Sequence, residues 1–192
     1  METNVANIEM VEQMQFMVMY DDLTGLPNRA LFQDRLTQSI KFSQRNRFRD
    51  EDKWKIVVML IDLDNFQFFN SHYGCSQGDL LVQQIADRIQ KVIRKSDTVA
   101  RIEGGKFVLI FANVTCKKDV DFLGRKMLAV FSEPFRFAEE CVQTTASIGI
   151  SYYPDDGEDA KSLMRGAELA MISAKRQHNC YRVFCDSEQK RA

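Results

Sequence analysis

The sequence has no apolar run approaching the roughly eighteen residues needed to cross a membrane, and its start lacks the basic-then-apolar order of a secretion signal. A soluble, cytoplasmic segment making no membrane contact is expected, either alone or as the cytoplasmic portion of a larger protein. Excess charge of one sign is missing too: 26 Lys and Arg oppose 27 Asp and Glu, a formal net of -1. That balance argues against a nucleic acid partner, which would need a basic face. Five cysteines (Cys75, Cys116, Cys141, Cys180, Cys185) form no Cys-x-x-Cys pair, and the two histidines, His72 and His178, have no zinc-like spacing. Reduced thiols are expected rather than a disulfide framework or a structural metal. No internal repeat or low-complexity tract is present.

What is present is enough for one domain. A chain of 192 residues, 45% of them apolar, can bury a real core but has no room for a second globular unit. Ile8, Val11, Met14 and Val18 predict a short amphipathic helix within residues 1–20. A helix follows over Asn28–Arg49, then a charged loop over Asn46–Lys53, then a strand from Lys55 to Ile61 that is apolar throughout and so central in a sheet. Leu80, Leu81, Ile85, Ile89, Val92 and Ile93 place a helix over Gln77–Arg94. A hairpin spans Thr98–Ala112, its turn marked by Gly104-Gly105. Beyond it the pattern predicts a helix over Lys117–Phe131, a strand pair over Phe135–Tyr153, a helix over Ala160–Gln177 and a last strand over Tyr181–Phe184. The fold class is α+β.

Several motifs stand in order along this frame. They are Asp22-Leu23-Thr24-Gly25-Leu26-Pro27-Asn28-Arg29, then Asp62-Leu63-Asp64-Asn65-Phe66, then Asn70-Ser71-His72-Tyr73-Gly74 with Gly78-Asp79. The hairpin Glu103-Gly104-Gly105-Lys106-Phe107 comes next, followed by Thr145-Ala146-Ser147-Ile148-Gly149-Ile150, and by Ala167-Glu168-Leu169-Ala170-Met171 with Ala174-Lys175. Together they resemble the GGDEF domain, the family of bacterial diguanylate cyclases and their inactive relatives, from about Asp21 to Phe184. The resemblance implies a mainly antiparallel sheet of about five strands flanked by helices, similar to the polymerase palm and class III nucleotide cyclases. It divides the chain into a signalling or linker helix (1–20), the domain proper (21–185), and the start of a linker (186–192) such as leads into an EAL phosphodiesterase domain. A sensor would precede such a chain, and a homodimer is the arrangement in which family members act.

A strand ending in Asp62-x-Asp64 sets a carboxylate at the lip of a sheet, where hard oxygen ligands can meet a Mg²⁺ ion on phosphates. Two such acids also occur as ordinary loop or helix-cap residues. The resemblance identifies Asp62 as the family's metal-binding aspartate. It also implies a second metal-holding side, the acidic pair at the hairpin tip, because phosphoryl transfer needs its developing charge neutralised by fixed cations. Here the tip reads Glu103-Gly104-Gly105-Lys106-Phe107, so both carboxylates are gone. Lys106 should repel Mg²⁺; it is expected either to pair with Asp62 or Asp64 or to stand as a solvated turn lysine. Glu103 replaces a glycine that makes room for nucleotide. No metal is expected in the vestigial Asp62 site, and Mg²⁺ enters only under an active-cyclase reading.

For the nucleotide, Asn70 and Asp79 match positions that read the guanine edge, and Lys175 matches a phosphate contact. Gln67 and Asn179 stand where the family usually has Lys and Arg, and Ser71 and Cys75 replace the customary Asp and His. Losing such charge-assisted contacts, roughly 1.5–3 kcal/mol each, should leave GTP binding weak or absent. Arg94-Lys95-Ser96-Asp97 has the Arg-x-x-Asp spacing of the family's inhibitory cyclic di-GMP site, in register with the hairpin; alone it also reads as a solvated helix end. The favoured expectation is a catalytically inactive regulatory or cyclic di-GMP-sensing domain, acting on an attached EAL domain. Enzyme activity stays open. The rivals are an active diguanylate cyclase joining two GTP, and an interaction module that binds no nucleotide.

Overall fold

An apolar strand without polar alternation must be covered on both faces, and Lys55–Leu63 is. The computed structural model describes residues 18–46, 55–114, 117–137 and 140–185. In chain order its elements are α1 (Arg29–Asn46), β1 (Lys55–Leu63), α2 (Phe66–Tyr73), α3 (Cys75–Val92), β2 (Thr98–Glu103) and β3 (Lys106–Val114). They continue with α4 (Lys117–Ala129), β4 (Phe135–Phe137), β5 (Glu140–Val142), β6 (Ala146–Tyr153), α5 (Ala160–Ala174) and β7 (Cys180–Val183). Five strands form one sheet in the order β2-β3-β1-β6-β7, with β1 in the centre, and β4 and β5 form a separate ribbon. Pairing is antiparallel except between β6 and β7, which run parallel.

Side chains of β1 alternate between the two faces. Val57, Met59, Ile61 and Leu63 join a core with Leu81, Val82, Ile85 and Ile89 of α3 and with Val120 and Met127 of α4. Ile56, Val58 and Leu60 face the other way, against Phe32, Leu36 and Ile40 of α1 and Leu163, Ala167 and Met171 of α5. The α5 face is unusually close to the sheet. A Cβ built on Gly149 would lie 1.9 Å from the Ala167 carbonyl oxygen and 2.3 Å from the Met171 nitrogen.

The α+β class and the mainly antiparallel five-stranded sheet agree with expectation, and the expected helices and strands recur with ends shifted by a few residues. Three differences are informative. The predicted strand pair over Phe135–Tyr153 splits into the β4-β5 ribbon and β6, and only β6 enters the main sheet. Helix α2, too short to develop a periodic signal, appears where only a motif had been read. The helix expected over residues 1–20 lies outside the described residues except for its last three, of which Val18 is exposed; the 186–192 linker lies wholly outside them.

Candidate functional site

The β2-β3 turn positions everything at the sheet edge. Glu103 stands opposite Lys106 across the turn, and Lys106 stands opposite Asp62 of β1. Gly104 takes φ +50°, a conformation that glycine adopts without strain. Gly105 has a steric reason instead: a Cβ there would come within 2.9 Å of the Leu63 side chain. Arg101 fastens the turn from below. Its Nε donates to the Gly104 carbonyl at 3.1 Å, and one terminal nitrogen donates to both carboxylate oxygens of Asp21, at 3.0 and 3.1 Å. Asp21 in turn accepts from the Thr24 amide and hydroxyl. Burial alone would raise its pKa, but the Thr24 and Arg101 contacts outweigh it and hold the carboxyl below the ordinary range.

Lys106 follows neither course expected of it. Its Nζ sits 3.0 Å from Glu103 Oε1, so it is neither bonded to Asp62 or Asp64 nor merely solvated. Opposite charges flanking a tight turn face one another on the same side of the ladder, and the nearer partner wins. The Glu103 hydrogen bond raises the lysine above its usual pKa despite some burial, with help from the charges of Glu103, Asp62 and Glu168. Lys106 in turn holds the exposed Glu103 below its usual value.

Asp62 instead receives Lys175, just past the end of α5, with Nζ 2.8 Å from Oδ2. Asp64 is more enclosed, its side chain 1% exposed. Its oxygens accept from Thr145 Oγ1 (2.7 Å), Ser147 Oγ (2.7 Å), the Asn179 amide (3.0 Å) and His178 Nδ1 (3.0 Å). Burial would push Asp64 up, yet these donors, His178 foremost, hold it below the usual carboxylate range. His178 and Asn179 both take positive φ, +55° and +45°, and that bent turn is what aims both at Asp64. His178 was not anticipated as a site residue. Histidine in a turn carries no pattern of its own, and its partner is remote in sequence.

Asp62, Lys106, Lys175 and His178 line an open cleft of about 700 Å³ that also takes in Gln67, Ser71, Glu103 and Gly104. Both lysines of the cleft have a carboxylate partner, Lys175 with Asp62 and Lys106 with Glu103, and His178 donates to Asp64. A Mg²⁺ ion needs several hard oxygens in octahedral array, whereas here an ammonium occupies one oxygen of Asp62 and a lysine is its cross-strand neighbour. Among the described residues no group of three or more His, Cys, Asp or Glu side chains is placed to hold a metal ion. The donor set does not fit the metal.

Asn70 and Asp79 do not line this cleft. Asn70 lies on α2 with its Oδ1 buried and lacking a hydrogen-bond partner, only 1.8 Å from where a Cβ on Gly78 would stand. Asp79 is exposed on α3. Of the three expected nucleotide contacts only Lys175 reaches the cleft.

Arg94 and Asp97 are brought together elsewhere, at the end of α3. The Arg94 amide donates to Asp97 Oδ2 at 2.9 Å, and the Asp97 amide donates to the Arg94 carbonyl at 3.0 Å. Burial raises the Asp97 pKa, partly countered by the Arg94 amide and by the charges of Arg94 and Lys126. The pair borders a cavity of about 370 Å³ that is lined also by Phe111, Ala112, Asn113 and Val114 of β3 and by Asp119, Phe122, Leu123 and Lys126 of α4. Nothing in the local sequence announced that α4 would close this site.

Comparison with known proteins agrees with this geometry. Residues 18–180 match the family model described as "Diguanylate cyclase, GGDEF domain". The chain is 38% identical over 180 residues to the bifunctional diguanylate cyclase/cyclic di-GMP phosphodiesterase MucR of Pseudomonas aeruginosa, covering 93% of this chain and 25% of MucR. It is 35% identical over 159 residues to the cyclic di-GMP phosphodiesterase NbdA of the same organism, covering 83% of this chain and 19% of that protein. The chain thus spans a quarter or less of these two relatives. Among solved structures, the GGDEF domain of YfiN (TpbB) from Pseudomonas aeruginosa superposes with a TM-score of 0.83 at 31% identity, over 89% of this chain and 97% of that one. With the sheet order, the hairpin and the Asp62 edge in the same frame, the chain belongs to the GGDEF domain family.

Proposed function

We propose that this is a degenerate GGDEF domain without cyclase activity, serving as a regulatory, cyclic di-GMP-responsive module within a longer signalling protein. The observation that carries the reading is the charge at the hairpin. Where two carboxylates would hold metal against a triphosphate, Gly105 and Lys106 stand, and the Asp62 carboxylate is engaged by Lys175 at 2.8 Å. Turnover of two GTP needs fixed cations on the phosphates, and these residues supply ammonium groups already neutralised by carboxylates.

Arg94 and Asp97 support the receptor part. A guanidinium bonds the O6 and N7 acceptors of guanine and a carboxylate accepts from its N1 and N2 donors, so the two read one base from both sides. MucR and NbdA, each much longer than this chain and named for cyclic di-GMP phosphodiesterase activity, favour a cytoplasmic role in regulating an attached EAL domain. A homodimer fits the same reading. The second reading, a protein-contact module that takes no nucleotide, draws on the mutual neutralisation of the cleft's two lysine–carboxylate pairs.

The test is calorimetric titration with cyclic di-GMP, and separately with GTP plus Mg²⁺, on the wild-type domain and on Arg94→Ala. Cyclic di-GMP binding lost in the variant, with no GTP response, is the expected result. Heat of GTP turnover would overturn the inactive reading. Silence with both ligands would replace the receptor by the contact module.

A further inference from the structure

We propose that Phe122 of α4 is a stacking platform for a guanine base in the Arg94–Asp97 cavity, which makes α4 a binding wall and not only a core helix. This rests on the receptor reading above and adds to it the face of the base, where Arg94 and Asp97 read only the edge.

The observation begins with the helix. Val120 and Met127 of α4 are buried in the core, while Phe122, on a different side, is 64% exposed. Asp119, Phe122, Leu123 and Lys126 are spaced three and four apart, so they form one stripe. That stripe lines the cavity bordered by Arg94 and Asp97. Leu123 is partly buried against the main core and anchors the helix there. Phe122 is not packed in that way: a large, mostly exposed apolar ring lines a cavity whose other walls combine Arg94, Asp97, Asp119 and Lys126 with Phe111, Ala112 and Val114 of β3.

A purine is the ligand that suits such a mixture. Its edge offers donors and acceptors for a carboxylate and a guanidinium, and its π-face is apolar and planar. Aromatic side chains hold bases by that face whatever the edge chemistry. Lys126, one turn from Phe122, stands beside the same cavity and supplies positive charge for the phosphates that accompany the base. The cavity, about 370 Å³, lies within the range of small-molecule sites.

The experiment uses the whole chain and titrates cyclic di-GMP by calorimetry into wild type, Phe122→Ala, Phe122→Leu, Phe122→Trp and Arg94→Ala. Because Phe122 is exposed, its variants should fold, and thermal melting confirms it. Stacking predicts that Ala and Leu each weaken binding about ten-fold or more, that Trp restores it, and that indole fluorescence of Phe122→Trp changes on saturation beyond any change in wild type. Equal affinity in Leu and wild type would show that the ring face is not used and would overturn the inference; if Arg94→Ala still abolished binding, the receptor reading would stand without it. Absence of binding by wild type would overturn both.

Discussion

Lys175 Nζ lies 2.8 Å from Asp62 Oδ2, so the carboxylate at the sheet edge has a counter-ion that belongs to the protein itself. The pair is half open, with the lysine side chain 36% exposed and the aspartate 12%. Lys175→Ala should therefore cost only about 1 kcal/mol in urea unfolding. Because Asp62 is then still a lone carboxylate beside Lys106, the variant should show no rise in melting temperature on adding MgCl₂. A Mg²⁺-dependent rise confined to Lys175→Ala would show that the remaining donors do fit the metal.

Arg101 ties the hairpin tip to the turn before α1 through Asp21, and both side chains are largely buried, 13% and 17% exposed. Arg101→Ala strands a partly buried carboxylate and frees the Gly104 carbonyl, and the expected loss is about 2–3 kcal/mol. Arg101→Lys should recover little of it, since an ammonium cannot reach Asp21 and Gly104 at once with the guanidinium's fixed fork. Equilibrium denaturation of the two variants measures the difference.

Gly149 should tolerate no side chain. Its would-be Cβ meets the backbone of α5 at Ala167 and Met171, which cannot rotate aside as a side-chain tip would. Gly149→Ala is expected to destabilise by about 3 kcal/mol or more, against Gly78→Ala, whose clash is with the movable Asn70 amide. Circular dichroism melts of both, side by side, decide whether backbone contact is the harsher constraint.

Acid stability should track Asp64 and Asp21. Hydrogen bonds and ion pairs overcome burial and hold both below the unfolded carboxylate value of about 3.9. A depressed folded pKa means stabilisation that is present above the unfolded value and lost as pH falls through the folded one. Asp97 has the opposite sign, because burial raises it; its contribution favours the fold at low pH and is lost as pH rises through the raised value. Asp64→Asn should lower stability at neutral pH and flatten the decline below about pH 4. An unchanged acid limb in stability-against-pH curves would show that Asp64 carries none of it.

Much of this was legible without a structure, for local reasons. The apolar stretch at β1, the helical spacing of Leu81, Ile85 and Ile89, and the Gly104-Gly105 turn each depend on neighbours a few residues away. The pairing of Lys106 with Glu103 is local as well, since residues flanking a two-residue turn face each other. Helix α2 was too short to show a period, and β4-β5 was too short to separate from β6.

The sequence alone determined the family frame, the apolar strand that runs out into Asp62 and Asp64, and the presence of Gly105 and Lys106 at the hairpin, because these are matters of residue type and near-neighbour order. Only the tertiary structure decided that Asp62 receives Lys175, that His178 and Asn179 hold Asp64, and that Phe122 lines the same cavity as Arg94. Those are contacts between segments far apart in the chain, and their few-ångström distances are set by how helices α4 and α5 pack on the sheet rather than by any pattern along the backbone.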